Sequence, residues 1–128
     1  MTNPQRILVV DDDPDLLDYC KVVLERAGYQ VLVADSAATG LALAKEGRPD
    51  LVLLDVMMEE SDSGFQLAQV LTREQPDLPV ILLSAIADAS DQIFDAGLLG
   101  VRDMVNKPIS PEGLLAKVAR WVRKPAGD

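Results

Sequence analysis

Histidine is absent from this sequence, so histidine-based catalysis and histidine metal ligation are excluded. Cysteine occurs once, at Cys20, which rules out an internal disulfide. Cys20 lies among apolar residues and reads as a core filler rather than a nucleophile. Basic residues are scarce: 12 Lys and Arg stand against 21 Asp and Glu, for a formal net charge of -9. The pI is about 4.3. Nucleic acid and anionic membrane are held by clustered Lys and Arg that release counterions, so neither is expected as a direct partner. No apolar run reaches the ~18 residues of a membrane span. The start of the chain, Met1 to Arg6, lacks the apolar core of a signal peptide. These absences point to a cytoplasmic protein. What is present suffices for one core: 48 % of the 128 residues are hydrophobic, in the size range of a single domain.

The stretch Leu51-Val52-Leu53-Leu54 is the centre of the pattern. Four apolar residues run together and stop at Asp55. So short a run reads as a strand buried on both faces, hence a central parallel strand. Ile7-Leu8-Val9-Val10 repeats the device and ends in Asp11-Asp12-Asp13. Asp13-Pro14 starts a helix, with an N-cap acid followed by proline at the first helical position. Leu17, Cys20, Leu24 and Ala27 recur at helical spacing, and Gly28 closes that helix. Tyr29 to Ala34 is a strand nearer an edge. Ser36 caps a short helix through Leu41, Leu43 and Ala44, closed by Gly47. After a loop from Val56 to Ser63, a helix beginning near Gly64 buries Leu67, Ala68 and Leu71 and stops before Pro76. Pro79 to Ser84 is another buried strand, which ends in a hydroxyl. A helix is expected around Ile93 and Phe94, then a last strand from Val101 to Asn106 that delivers Lys107-Pro108. Ser110-Pro111 opens the final helix, with Leu114, Leu115, Val118 and Val122 on its apolar stripe. Strands alternate with helices five times, the period of a parallel sheet with helices on both faces.

Four strand ends carry polar residues that a core would not hold: Asp11 and Asp12, Asp55, Ser84 and Lys107. In a parallel sheet these ends share one rim, where α/β sheets bind ligands. Each alone has an ordinary reading: an N-cap with solvated neighbours, the end of a strand, a turn residue before proline. Their order along successive strands is what signifies. Three carboxylates in one cleft repel, and a hard divalent cation such as Mg²⁺ relieves them with oxygen ligands and commonly pairs with a phosphate. Asp55 then reads as a nucleophile toward phosphorus, with Ser84 and Lys107 on the oxygens of the transferring group.

The runs Ile7 to Asp13, Leu53-Leu54-Asp55-Val56-Met57-Met58, Leu82-Leu83-Ser84-Ala85 and Asn106-Lys107-Pro108 closely resemble the response-regulator receiver domain of two-component signalling. The resemblance covers nearly the whole chain. It implies a flavodoxin-like, doubly wound five-stranded parallel sheet in the order 2-1-3-4-5 with five helices. It implies a receiver over residues 1–124, a frayed tail over 125–128 and no output domain. It implies phosphorylation of Asp55 by the phosphohistidine of a sensor histidine kinase or phosphotransfer protein. Mg²⁺ would be bound by Asp12, Asp55 and the backbone carbonyl of Met57, with Asp11 acting mainly through water. Ser84 and Lys107 would contact the phosphoryl oxygens, and the Lys107-Pro108 bond would be cis. Receiver domains also use the positions of Met57 and Ile86 to tune the life of the phosphorylated state. Both residues here are apolar and bulky, which predicts slow self-dephosphorylation, and no other catalysis is expected. The chain departs from the family pattern at Glu59, where a proline is usual, and at Met104, where the switch aromatic is usual.

Two other functions compete. Asp11-x-Asp13 after an apolar strand also resembles the motif of haloacid-dehalogenase-type phosphatases, with Asp11 as nucleophile and Asp13 as acid/base. That reading leaves Asp55 unexplained and finds no acidic metal motif after Lys107. A non-phosphorylated pseudo-receiver that merely binds a partner is the other, and the complete acid, hydroxyl and lysine set argues against it. For the partner face, Lys117, Arg120 and Lys124 recur along the last helix. The ordinary reading is a solvated face with charge suited to a helix C-terminus; the functional one, together with Arg102 and Met104, is a docking or phosphorylation-dependent homodimer surface.

Overall fold

The computed structural model describes residues 4–55, 63–84 and 100–123, and at Ser63 and Ser84 the backbone alone. In chain order its elements are β1 (Arg6–Val10), α1 (Pro14–Arg26), β2 (Gln30–Ala34), α2 (Ala37–Glu46), β3 (Leu51–Asp55), α3 (Ser63–Glu74), β4 (Val80–Ser84), β5 (Asp103–Asn106) and α4 (Pro111–Trp121). The five strands form one sheet in the order β2-β1-β3-β4-β5, and every neighbouring pair is parallel. This is the expected doubly wound, flavodoxin-like arrangement. The described residues hold four helices; the fifth, expected around Ile93 and Phe94, lies outside them, as do the loop with Met57 and Glu59, Ile86 and the tail from Lys124.

Period-2 alternation divides the core in two. Leu8, Val10, Val52, Leu54, Val80 and Leu82 face one layer, shared with Ala44 of α2 and Leu67 and Leu71 of α3. Ile7, Val9, Leu51, Leu53, Ile81 and Leu83 face the other, with Leu17, Cys20 and Leu24 of α1 and Leu114 and Val118 of α4. Every residue of β3 is buried, as an apolar run covered on both faces requires.

The helix ends follow the capping residues. Asp13, Ser36 and Ser110 each accept a backbone N–H of the first turn. Helix α1 stops at Arg26, and Gly28 takes the left-handed turn at φ 99. There the Gly28 N–H bonds to the Glu25 carbonyl and the Tyr29 N–H to the Leu24 carbonyl. Ala27 is therefore the cap, and it is exposed rather than part of the buried stripe. The last strand begins at Asp103 and not at Val101. Arg102 before it is held instead through its N–H to the Val80 carbonyl and its guanidinium to the Pro76 carbonyl.

Asp103 latches β5 to α4. Its carboxylate accepts Lys117 Nζ at 2.8 Å, Trp121 Nε1 at 2.9 Å and the Met104 N–H at 2.8 Å. Burial alone would push the Asp103 carboxyl up, but these donors outweigh it and hold it below the usual carboxylate range. A depressed folded pKa contributes stability above the unfolded value of about 3.8 and loses it as pH falls through the folded value. Urea melts of the protein and of Asp103→Asn should therefore differ most near neutral pH and converge as pH falls below about 4. A difference that stays constant down to strongly acid pH would contradict the latch.

Helix α2 lies close to the sheet because Gly40 has no side chain. A Cβ there would meet Val10 Cγ2 at 2.9 Å, Val10 Cγ1 at 3.1 Å and Leu67 Cδ2 at 3.1 Å. Ala would add about 1 kcal/mol of helix propensity, but overpacking a core costs about 1–3 kcal/mol. Gly40→Ala is predicted to lower the urea midpoint; a higher midpoint would show that the α2 contact yields without cost.

Candidate functional site

Each of the strands β1, β3 and β5 ends at one rim, and each delivers a charged residue there. Asp11 follows Val10, Asp55 closes β3 and Lys107 follows Asn106. The register aligns them, pairing Val10 with Leu54, Asp55 with Leu83 and Ser84 with Asn106. Ser84 thus ends β4 at the same level; its side chain lies outside the described part.

Asp11 is fully buried and Asp55 is 3 % exposed. The Lys107 ammonium lies between them, 3.0 Å from Asp11 Oδ2 and 3.5 Å from Asp55 Oδ2. The other oxygen of Asp11 accepts the Asp13 N–H at 2.9 Å. Asp12 joins the group, and one carboxylate oxygen from each of Asp11, Asp12 and Asp55 lies within 4.8 Å of the others.

Burial pushes the Asp11 carboxyl up, the nearby Asp55 charge adds to this, and the Asp13 N–H and Lys107 only partly offset it. Burial alone would lower the Lys107 ammonium, but Asp11 and Asp55 outweigh it and raise it above the ordinary lysine value. Lys107 is therefore a fixed cation whose charge the two acids sustain. It is not the exposed turn residue that a Lys-Pro pair usually marks. The repulsion expected among the acids is already partly relieved by this ammonium.

The segment after Lys107 is held against α1. The Lys107-Pro108 peptide is cis, as expected, and Tyr19 Oη donates to the Ile109 carbonyl at 2.7 Å. An open groove of about 320 Å³ runs beside the rim here, lined by Asp13, Leu16, Tyr19, Lys107 and Ile109 among others. Tyr19 was not singled out by the sequence, where it looks like one more residue of an amphipathic helix. Asp103 was missed for a similar reason, although a carboxylate at an inward position of a strand is a visible signal.

The residues expected to form a partner surface are divided by the sheet. Met104 packs with the layer under α2 and α3. Lys117 pairs with Asp103 under α4, and the Arg120 guanidinium stands 5.0 Å from the centre of the Trp121 ring. Met57, Ile86 and Lys124 lie outside the described residues.

The chain has relatives throughout its length. The DNA-binding dual master transcriptional regulator RpaA of Synechocystis is 40 % identical over 123 residues, covering 93 % of this chain and 49 % of that protein. Protein PilH of Pseudomonas aeruginosa is 36 % identical over 115 residues, covering 88 % of this chain and 93 % of that one. The chain thus spans about half the length of most of the first curated relatives it matches. Among solved structures, response regulator protein TrrA of Thermotoga maritima in complex with Mg(2+)-BeF superposes with a TM-score of 0.83. It is 29 % identical, with 92 % of this chain and 99 % of that one covered. Residues 7–119 match the model of the response regulator receiver domain, and with the sheet order and the acid–lysine rim they show that this chain belongs to that family.

Proposed function

We propose that the chain, over residues 1–124, is a phosphorelay receiver that takes a phosphoryl group on Asp55. The observation that carries this is the Lys107 ammonium 3.5 Å from Asp55 Oδ2 at the carboxyl end of the central strand. A phosphohistidine of a sensor histidine kinase or phosphotransfer protein is the proposed donor. One Asp55 oxygen forms the new bond to phosphorus as the P–N bond to the imidazole breaks. Lys107 and the Ser84 hydroxyl are proposed to hold the phosphoryl oxygens. The Lys107 ammonium, pinned by Asp11, is charged before the phosphoryl group arrives and need not reorganise.

The donor set suits Mg²⁺. Three carboxylates face one ammonium, so negative charge remains in excess, and oxygen ligands are what this ion takes. Asp12 and Asp55 would hold it with the Met57 carbonyl, and Asp11 would act mainly through water. Bound there, it would supply charge neutralisation for the incoming phosphate. That the related TrrA is solved in complex with Mg(2+)-BeF supports a metal and a phosphoryl mimic as ligands of this chain.

The haloacid-dehalogenase reading gains no support, because Asp13 Oδ1 is taken up in capping α1 through the Asp15 N–H. Slow self-dephosphorylation through the apolar Met57 and Ile86 remains part of the proposal, as does a phosphorylation-switched partner surface on α4. No described helix is long and apolar enough to cross a membrane.

Asp55→Asn keeps the shape and removes the nucleophile. Incubated with acetyl phosphate and Mg²⁺, the variant should take up no phosphoryl group by intact mass, with its urea midpoint little changed; uptake equal to that of the unaltered protein would overturn the assignment. Asp12→Ala removes one carboxylate from a crowded set. It should weaken Mg²⁺ binding while leaving the metal-free protein as stable or more stable. Unchanged Mg²⁺ affinity with clear destabilisation would make Asp12 a structural residue instead.

A further inference from the structure

Among the described residues the sheet has an open edge at β2, which pairs with β1 alone. At one end of that pairing the Gln30 N–H donates to the Gln5 carbonyl at 2.9 Å, and at the other the Asp11 N–H donates to the Ala34 carbonyl at 3.0 Å. Strand parity then turns the Leu32 backbone toward β1 as well and turns the N–H and C=O of Val31 and Val33 outward. Among the described residues none bonds these outward groups. Natural edges are usually blunted by a charge, a proline or a bulge. The five residues of β2, Gln-Val-Leu-Val-Ala, contain none of these. Val33 is 39 % exposed, one of two large apolar side chains exposed to this degree among the described residues.

We propose that the outer edge of β2 is a self-pairing surface, on which a second copy of this chain adds its own β2 antiparallel about a twofold axis at Leu32. The geometry is self-complementary. In that register Val31 of each copy faces Val33 of the other, and in an antiparallel ladder such pairs exchange both hydrogen bonds. Two pairs give four bonds and use every outward backbone group of Val31 and Val33. Leu32 faces Leu32 in the non-hydrogen-bonded position, where side chains approach most closely. A one-residue slip would put outward groups opposite inward ones, and a two-residue slip would pair one valine with a residue beyond the ends of β2, so this register keeps the most bonds within the strand. An uncharged strand meets no like charge in its twin, and the contact is isologous, so it closes as a dimer. The bodies behind the edge each carry a net charge of -9, so their repulsion opposes the contact and salt weakens that repulsion. The pairing owes nothing to phosphoryl chemistry at Asp55.

Sedimentation velocity of the whole chain across the micromolar to millimolar range tests this. The expected result is a monomer–dimer equilibrium that tightens with added salt, with Val31 and Val33 amides more protected from hydrogen exchange at high concentration. Val33→Pro deletes one outward donor and leaves the β1 ladder intact, as proline at an edge does. It should raise the dimer Kd about tenfold or more. Val33→Lys should do the same by placing two like charges at the contact, and circular dichroism would confirm that each variant folds. Val22→Lys, which changes the other exposed valine, on α1, should leave the Kd unchanged, as should Asp55→Asn. A protein that stays monomeric throughout, or a dimer that both Val33 variants leave intact, would overturn the proposal.

Discussion

The rim depends on a single ammonium held between two buried carboxylates. Ionised Asp11 and Asp55 side by side in a closed environment would be untenable without a cation, because burial penalises each charge and their proximity penalises both. Lys107 supplies that cation from the fifth strand of the order, two positions across the sheet from β3. Its raised affinity for its proton is the counterpart of this arrangement. Asp11 is the side chain that pins it, at 3.0 Å, and the Asp13 N–H in turn fixes the other Asp11 oxygen. The start of α1, the end of β1 and the end of β5 are thereby tied into one unit whose open side faces Asp55.

The sheet makes this possible by burying what surrounds it. Strands β1, β3 and β4 are apolar along nearly their whole length, so the first residues free to be polar are those at the carboxyl ends. Parallel connection sends all of those ends to the same rim. The helix α4 is fastened separately, through Asp103 to Lys117 and Trp121. Past α4, Arg123 is tied to the opposite end of the sheet through its N–H to the Asp50 carbonyl and through Gln5 Nε2 to its own carbonyl. Strand β5 therefore carries Lys107 at its rim end and the anchor of α4 at its start, which gives the site and the last helix a shared strand.

Much of this was legible in the sequence because burial leaves so plain a trace. Four apolar residues before Asp55 could hardly be anything but a central strand, and Asp13-Pro14 and Ser110-Pro111 marked helix starts that the caps confirm. The edge position of β2 showed in its more polar beginning. Pairwise geometry was not legible. The sequence presented Lys107 as one basic residue among acids, and only distance reveals that it neutralises Asp11 and Asp55 together. Asp103 drew no notice within the last strand and proved to be the acceptor of three donors. Met104 was read with the α4 surface, but adjacent strand residues point to opposite faces, so Asp103 went under α4 and Met104 to the other layer. The start of β5 was placed two residues early because Val101 and Arg102 have strand-like neighbours, while Arg102 is held by its N–H to Val80 and its guanidinium to Pro76.

The central claim is that the rim directs a phosphoryl group to Asp55 and not to Asp11, its equally buried neighbour. Lys107 lies closer to Asp11, so proximity to the ammonium does not by itself choose between them. Asp11 pins Lys107 and accepts the Asp13 N–H, so its proposed role is positioning, and the reacting role is proposed for Asp55, at the end of the central strand. The direct measurement is to phosphorylate the protein with acetyl phosphate and Mg²⁺, trap the acyl phosphate by borohydride reduction, and map the resulting homoserine by peptide mass spectrometry. The account predicts conversion at Asp55 alone. Conversion at Asp11 would contradict it.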